Sequence, residues 1–227
     1  MIIGIIGAMD IEIRRMKEHM KKESIQTIAK MKFYSGKIEN IEVVICNSFE
    51  GKVNAAVCTQ LLISEFHVDM VVNIGVAGAV SNELKICDFI VANSAIEFDL
   101  DATTLGYEMG YVFGLEKVEM LCDKEISERL QKIAKKYSNT KLGKIATSDK
   151  FISDVKITNM LKEKWNVSAV DMETASICHV CELNKIPFGA IRAISDSCNN
   201  MEYREFLELS LEKLDKVMYD FIKRLNE

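Results

Sequence analysis

The sequence contains almost nothing that would divide the chain into separate units. Among its 227 residues there is a single proline, Pro187, and no serine-, glycine- or proline-rich stretch that would form a linker. Internal repeats and low-complexity segments are also absent. Because 48% of the residues are hydrophobic, a chain of this length can bury a substantial core by itself. We therefore expect residues 1–227 to form one domain.

Excess positive charge and long apolar runs are lacking too. The net charge is −5 and lysine is intermixed with glutamate, whereas a nucleic-acid surface needs a basic stripe that displaces counterions from phosphates. The apolar runs have the length of strands, and the N-terminus has no signal-peptide pattern. The sequence therefore predicts a cytoplasmic protein that binds neither nucleic acid nor membranes.

Cysteines number seven, which is odd, and most of them lie in apolar segments. This is typical of reduced thiols packed as small hydrophobic residues, so we expect no disulfides. Cys178 and Cys181 form a C-x-x-C pattern, but it falls within a predicted helix and has no second ligand pair nearby. We interpret both as buried structural residues and predict no metal site.

Strand patterns and helix patterns alternate along most of the chain. The predicted strands cover residues 2–7, 32–38, 41–46, 68–74, 87–94, 142–146, 167–170 and 188–194. One predicted helix begins near residue 10, and others cover residues 52–66, 124–137 and 155–165. A further helix follows the acids after the strand at 167–170 and contains Cys178 and Cys181, and the apolar stripe of the final helix runs over 203–225. Such alternation predicts an α/β fold of three layers, αβα, with a mixed, twisted central sheet.

Acidic residues follow three of the predicted strands. The strand at 188–194 runs into Ser195 and Asp196, the first strand leads into a helix that carries Glu12, and the strand at 167–170 is followed closely by Glu173. In α/β sheets the ligand crevice lies beyond the carboxyl ends of the strands. We therefore expect these three carboxylates to face one crevice.

Six motifs occur in a fixed order over nearly the whole chain. They are Gly4–Met9 with Glu12, Gly51–Val53, Asn73–Gly78, Phe151-Ile152, Val170–Glu173 and Arg192–Asp196. One such motif is weak, but six at this spacing are specific. In these residues the chain resembles the methylthioadenosine/S-adenosylhomocysteine nucleosidases, within the wider nucleoside phosphorylase group. The resemblance implies a phosphorylase/hydrolase-like fold and an N-glycosyl hydrolase that acts on a purine nucleoside without metal or organic cofactor.

The resemblance assigns catalytic roles to two of the acids. Cleaving a purine N-glycosidic bond requires a proton for the leaving base and an activated water on the other side of the sugar. Asp196 matches the family's general acid, which Ser195 helps to fix, and Glu12 matches the group that activates water. The structural alternatives are a helix-capping aspartate and a first-turn glutamate favoured by the helix dipole.

Further positions match the family's substrate-binding residues. Glu173 matches a glutamate that accepts hydrogen bonds from the ribose hydroxyls. Arg192 matches an arginine near the attacking water, and its alternative is a salt bridge to a strand-end carboxylate such as Glu12. Other matching positions would contact the sugar or the purine, with ordinary core packing as the alternative, and they are Met9, Phe151, Ile152, Met172 and Phe206. The main chain at Val76, Ala77 and Gly78 would approach the ligand closely, and the glycines there are explained better by this close approach than by a phosphate cradle.

One loop departs from the family pattern Ser-Gly-x-Gly-Lys, in which x is aliphatic and faces the 5′-alkylthio group. Here Phe49 replaces the first glycine and Glu50 replaces the aliphatic residue. A carboxylate buried beside a methylthio group would be costly. Either Glu50 faces the 5′ end and favours a donor there, such as a 5′-hydroxyl or an ammonium-bearing tail, or Phe49 redirects the loop and Glu50 points to water.

A loop that contains Asp99 and Asp101 resembles a family loop near a dimer interface, so we expect a homodimer in which Ala102, Leu105 or Tyr107 approaches the 5′ pocket. Two other functions compete with hydrolysis. One is a nucleoside phosphorylase, which phosphate-binding cations would favour; only Arg192 can be placed in the crevice, and Glu12 would repel the anion. The other is a nucleoside-binding protein without catalysis, because a fold alone does not imply function.

Overall fold

The computed structural model describes the main chain of residues 1–196, 198 and 200–226, and the side chains of residues 1–196, 198 and 207–225. Its strands are β1 (Ile2–Gly7), β2 (Lys21–Ile28), β3 (Met31–Ile38), β4 (Ile41–Asn47), β5 (Met70–Ala79), β6 (Phe89–Glu97), β7 (Glu119–Leu121), β8 (Thr140–Thr147), β9 (Val167–Asp171) and β10 (Phe188–Asp196). Its helices are α1 (Asp10–His19), α2 (Lys52–Ser64), α3 (Lys124–Ala134), α4 (Val155–Trp165), α5 (Thr174–Asn184) and α6 (Asn200–Lys223).

The ten strands form one mixed sheet, as the alternating pattern predicts. β1 pairs in parallel with β4 and β5, and β5 pairs in parallel with β10. The hairpin of β3 and β4 is antiparallel. Its turn residues Glu39 and Asn40 have φ angles of 48° and 69°, the left-handed conformation that a two-residue hairpin turn requires.

Five strands close into a ring in the order β5, β10, β6, β8, β9 and back to β5. The closing contact is short, because β5 and β9 pair only through Gly78 with Val170 and Ala79 with Ala169. Gly78 also lies opposite Asp196 of β10. The ends of β5, β9 and β10 therefore meet at one place.

Helices cover both faces of the sheet and confirm the layered α/β fold. On one face, α1, α3 and α6 bury side chains such as Ile13, Leu130 and Phe221 against the strands. On the other face, α2 and α5 contribute Leu62, Cys178 and other apolar residues to a second core. All seven cysteines are free and six are buried, as expected for structural thiols.

Several boundaries differ from those the sequence predicts. β5 continues through Gly75–Gly78, which we expected to follow the strand, and β10 includes Ser195 and Asp196. β2 and β7 were not predicted. β2 has almost no buried side chain and is held by its main-chain pairing with β3, so no alternation of apolar residues marks it. Among the described residues, no helix is both long enough and apolar enough to cross a membrane.

Candidate active site

A cavity of about 350 Å³ opens where the carboxyl ends of β1, β5, β9 and β10 meet. This is the position at which α/β proteins bind ligands. Most of the predicted site residues line it, namely Met9, Glu12, Glu50, Val76, Ala77, Gly78, Phe151, Ile152, Met172, Glu173, Ser195 and Asp196. Of the remaining two, Arg192 lies beneath the cavity, and the side chain of Phe206 lies outside the described residues.

Glu12 is buried in the first turn of α1 and is held by three main-chain donors. Its Oε2 accepts hydrogen bonds from the N–H groups of Ala8 at 2.7 Å and Met9 at 3.0 Å, and its Oε1 accepts one from Val76 at 3.0 Å. Burial raises the pKa of Glu12, while the charge of Arg192 and the three main-chain donors oppose the rise. A base whose pKa is shifted toward neutrality is better suited to accept a proton from water.

Asp196 lies at the other end of the same cavity. It is 2% exposed, and its Oδ2 accepts a hydrogen bond of 2.8 Å from the hydroxyl of Ser195. The Cys198 thiol lies nearby, and burial together with the negative charge of Asp196 raises the pKa of Cys198 to about 12, so this thiol stays neutral. Asp196 is the last residue of β10.

Strand β5 sets the separation of the two acids. Glu12 binds the N–H of Val76, and a Cβ atom placed on Gly78 would lie 3.1 Å from Oδ1 of Asp196. Two residues of a β-strand span roughly 7 Å. The two carboxylates therefore face the cavity from positions that a sugar and a leaving base could occupy between them.

Glu173 is 5% exposed and lies between the cavity and a buried cation. Its Oε1 accepts a hydrogen bond of 3.1 Å from the N–H of Gly51, and its Oε2 lies 3.4 Å from Nη2 of Arg192. Burial raises the pKa of Glu173 to about 8, and the charges of Asp171 and Glu12 act in the same direction while Arg192 opposes them.

Arg192 is fully buried and forms a salt bridge to a strand-end carboxylate, the structural alternative to a role beside the attacking water. Its Nη2 forms a salt bridge of 2.6 Å with Oδ2 of Asp171, and the same atom donates to Oδ1 of Asn73 at 2.6 Å. Further hydrogen bonds link the guanidinium to the Thr174 hydroxyl and the main chain of β5. The ion pairs that the structure describes for Arg192 are with Asp171 and Glu173 and not with Glu12, because β9 and not α1 supplies the nearer carboxylates.

Asp171 is a site residue that the sequence analysis missed. It lines the cavity and accepts hydrogen bonds from the hydroxyls of Thr147 and Thr174 in addition to its bond with Arg192. The negative charges of Asp171, Glu173 and Glu12 outweigh the effect of burial and raise the pKa of Arg192. The signal in the sequence was its position directly before the Met172-Glu173 pair, which also follows a strand.

Phe49 and Glu50, the two residues that depart from the family pattern, lie in the loop at the rim of the cavity. Phe49 has a φ angle of 64°, a left-handed conformation that glycine adopts more easily, and it is 44% exposed. Glu50 nevertheless lines the cavity, at its exposed rim, so the loop is not turned away from the cavity. Lys150, which the sequence analysis did not select, lines the same rim and is also exposed.

Apolar side chains provide much of the remaining wall. Met9 and Met172 are half-buried and Ile152 is buried, while Phe151 is 47% exposed at the opening. Such a wall suits a flat, partly apolar ligand. Among the described residues, no group of three histidine, cysteine, aspartate or glutamate side chains has an arrangement suitable for a metal ion.

Comparisons with known proteins agree with this geometry. Residues 2–223 match the model of the phosphorylase superfamily. The 5′-methylthioadenosine/S-adenosylhomocysteine nucleosidases of Staphylococcus carnosus and of an Exiguobacterium species are each 36% identical to the chain, and the alignments cover at least 99% of it and 100% of each relative.

Two solved structures are also similar. One is the 5′-methylthioadenosine/S-adenosylhomocysteine nucleosidase of Neisseria meningitidis in complex with methylthio-immucillin-A, which is 29% identical with a TM-score of 0.93 over 98% of both chains. The other is futalosine hydrolase of Helicobacter pylori, 28% identical with a TM-score of 0.93 over 97% of both chains. The chain belongs to the phosphorylase superfamily and, within it, to the methylthioadenosine/S-adenosylhomocysteine nucleosidase family, and it is an N-glycosyl hydrolase.

Proposed function

We propose that this chain hydrolyses the N-glycosidic bond of a 5′-substituted adenosine of the methylthioadenosine/S-adenosylhomocysteine type, or of a related purine nucleoside. The observation that carries the proposal is that Glu12 and Asp196 line one cavity, where Glu12 binds the N–H of Val76 and Asp196 lies opposite Gly78 on the same strand, β5. The relatives that share this fold are named for such substrates. One group can then serve the leaving base while the other serves the attacking water.

Asp196 acts as the general acid in this proposal. The purine leaves as a neutral base only if a proton reaches its imidazole nitrogen N7, since departure as an anion is unfavourable. Asp196 is buried at the cavity end, and the Ser195 hydroxyl donates a hydrogen bond to its Oδ2, which helps to fix the carboxyl group that would protonate the purine. Phe151 and the main chain at Ile152 would contact the purine itself.

Glu12 and Glu173 act on the other side of the bond. Glu12 orients water and accepts its proton as the water oxygen bonds to the sugar carbon C1′ and the C1′–N9 bond breaks. Its three main-chain donors fix the carboxylate in one orientation. Glu173 accepts hydrogen bonds from the 2′- and 3′-hydroxyls, which holds C1′ in line between the water and Asp196.

Water is the nucleophile that these contacts favour over phosphate. A phosphate site needs cationic donors that are free to bind the anion. Arg192 is fully buried and engaged by Asp171, Glu173, Asn73 and Thr174, and the other cation that lines the cavity, Lys150, is on the exposed rim and not beside Glu12. Base release that persists after enzymatic removal of phosphate supports hydrolysis, whereas a strict requirement for phosphate contradicts it.

Glu50 is proposed to shift the preference at the 5′ end toward a polar group, such as a 5′-hydroxyl. The carboxylate lines the rim where the family has an aliphatic residue, and an uncharged alkylthio group offers it no donor. Adenosine is therefore a candidate substrate beside the 5′-thio compounds. Comparing kcat/KM for adenosine and methylthioadenosine in the native protein and in Glu50→Ile measures this effect, and an unchanged ratio contradicts it.

We further propose that two copies of the chain associate through the loop near Leu105. Leu105, Tyr107 and Phe113 are 75%, 43% and 50% exposed, and the rings of Tyr107 and Phe113 lie 4.9 Å apart. An exposed apolar cluster of this kind is typical of an interaction surface. Sedimentation velocity is expected to give a dimer for the native chain and a monomer for Tyr107→Asp, and a native monomer would contradict the assignment.

The decisive experiment measures free purine by chromatography. The substrates are methylthioadenosine, S-adenosylhomocysteine, adenosine, inosine and futalosine, each with and without phosphate. Replacing Asp196 by Asn, or Glu12 by Gln, is expected to lower kcat by roughly 100-fold or more, because each change removes a proton-transfer group. Purine binding without release from any substrate would instead favour a non-catalytic nucleoside-binding protein.

A further inference from the structure

Two opposite charges stand on the rim of the cavity on segments that contact each other. Glu50 belongs to the loop before α2, and Lys150 belongs to the loop after β8. The Asp149 carboxylate accepts a hydrogen bond of 2.8 Å from the main-chain N–H of Lys52. Lys150 directly follows Asp149, and Glu50 comes two residues before Lys52. The two charged residues therefore lie on neighbouring parts of the rim.

The loop that carries Glu50 is also hydrogen-bonded to Glu173, the residue proposed to bind the ribose. The next residue, Gly51, donates its N–H to Glu173, and the main-chain carbonyl of Glu50 accepts a hydrogen bond of 2.8 Å from the amide of Asn54. On the other side of the loop, the N–H of Ser48 binds the carbonyl of Gly7 at 2.9 Å. These contacts hold the main chain of Glu50 next to Glu173, on the side of the cavity where the sugar is proposed to bind.

The chemistry of this rim fits a tail that carries both signs of charge. A methylthio group has no donor for Glu50 and no acceptor for Lys150. A tail with only an ammonium group would pair with Glu50 and give Lys150 no partner on the substrate. A tail with only a carboxylate would pair with Lys150 and give Glu50 no partner on the substrate. An α-amino acid carries both groups on one carbon and pairs with both rim charges.

We infer that Glu50 and Lys150 together recognise an α-amino acid at the end of a 5′-thio substituent, Glu50 through its ammonium group and Lys150 through its carboxylate. This inference rests on the proposed hydrolysis of 5′-substituted adenosines and narrows its substrate class. S-adenosylhomocysteine has such a tail. The two side chains are specificity residues at the rim, apart from the acids that transfer protons.

The test compares tails of similar length and different charge. The substrates are S-adenosylhomocysteine, butylthioadenosine with a neutral tail, an aminopropylthio adenosine with only the ammonium group, and a carboxypropylthio adenosine with only the carboxylate. Each is assayed with the native protein, Glu50→Gln and Lys150→Gln. Glu128→Gln, an exposed substitution on α3 outside the cavity, is the control. Each result is the kcat/KM of a charged substrate divided by that of the butylthio compound, so any loss of folded protein cancels.

Each substitution is expected to affect mainly the substrate whose tail carries the opposite charge to the side chain that is removed. Glu50→Gln lowers the ratio for the ammonium tail by about fivefold and Lys150→Gln lowers the ratio for the carboxylate tail by about fivefold, as expected for exposed ion pairs. Both variants lower the ratio for S-adenosylhomocysteine, and these effects shrink at high salt. Ratios that do not change in either variant overturn the inference even if butylthioadenosine is cleaved. Failure to cleave any of the four substrates overturns the proposed function itself.

Discussion

Asp171 and Arg192 form an ion pair of 2.6 Å directly beneath the cavity, where the arginine is fully buried. The pair joins the end of β9 to the middle of β10 and holds the guanidinium next to Glu173. Removing one partner of a buried ion pair leaves the other charge poorly compensated. The stability of the chain and the charge state of Glu173 therefore both depend on Asp171.

Replacing Asp171 by Asn is expected to lower the free energy of unfolding by about 3 kcal/mol, because the buried Arg192 loses its shortest ionic contact. Urea unfolding at neutral pH measures the change. Glu42→Gln is a matched control, since Glu42 pairs with Lys37 at 3.8 Å and is 53% exposed. Its loss should stay below about 1 kcal/mol. An equal loss in both variants would contradict a special role for the buried pair.

Replacing Glu173 by Gln is expected to change how stability depends on pH. The pKa of Glu173 is about 8 in the folded protein against an ordinary 4.5, so the folded chain binds more protons than the unfolded chain between these values. Its contribution to stability is therefore complete below about pH 4.5 and is lost as the pH rises through about 8. The native protein should lose stability over this range relative to Glu173→Gln. The check is urea unfolding at several pH values, and parallel curves would show that Glu173 does not titrate this way.

Replacing Gly75 by Ala is expected to lower the rate measured on the folded protein. An added Cβ would lie 2.2 Å from Nη1 of Arg192 and 2.4 Å from Oε1 of Glu12, so both side chains must move. A displacement of about 1 Å near reacting groups costs roughly 100-fold in rate. Steady-state assays would measure kcat/KM. Gly4→Ala in β1 is the control, because its Cβ meets only side-chain atoms of Leu62 and Val68. A full rate in Gly75→Ala would argue against Glu12 as the base.

Replacing Phe49 by Gly is expected to give a more stable protein than replacing it by Ala, by about 1 kcal/mol, because the φ angle of 64° is unfavourable for any residue with a Cβ. Thermal unfolding of the two variants gives this difference without the effect of the lost ring. The same pair of substitutions at Phe113 provides the comparison, since Phe113 is also half exposed and does not have a positive φ angle. At Phe113 the Ala variant should be as stable as the Gly variant or more stable. If the Gly variant is the more stable one at both sites, the φ angle of Phe49 is not the cause of the difference.

The sequence predicted the strand ends that carry Glu12, Glu173 and Asp196 because each follows a short apolar run, a local pattern that survives folding. It did not predict the position of Arg192, whose partner Asp171 lies on another strand and is brought close only by the tertiary fold. Lys150 was missed for a similar reason. It directly precedes the Phe151-Ile152 motif, but a single exposed lysine is not distinguished by sequence pattern from an ordinary surface residue.

The ring of strands was also beyond the reach of sequence patterns. It closes through two residue pairs between β5 and β9, and such a short contact leaves no periodic signal. β2 shows the opposite case, in which main-chain pairing forms a strand from residues that are almost all exposed. Patterns of apolar residues therefore predicted the core strands. The edge strand β2 and the closure of the ring between β5 and β9 became apparent only in the three-dimensional structure.

Strand β5 is paired with β1, β9 and β10, so neighbours on both sides fix it along its length. The spacing between Asp196 and Glu12 is consequently a property of main-chain geometry, which ordinary side-chain substitutions hardly alter. Loops at the entrance have no such constraint. Substitutions in the entrance loops can therefore change which nucleoside is preferred while the spacing of the two acids is kept.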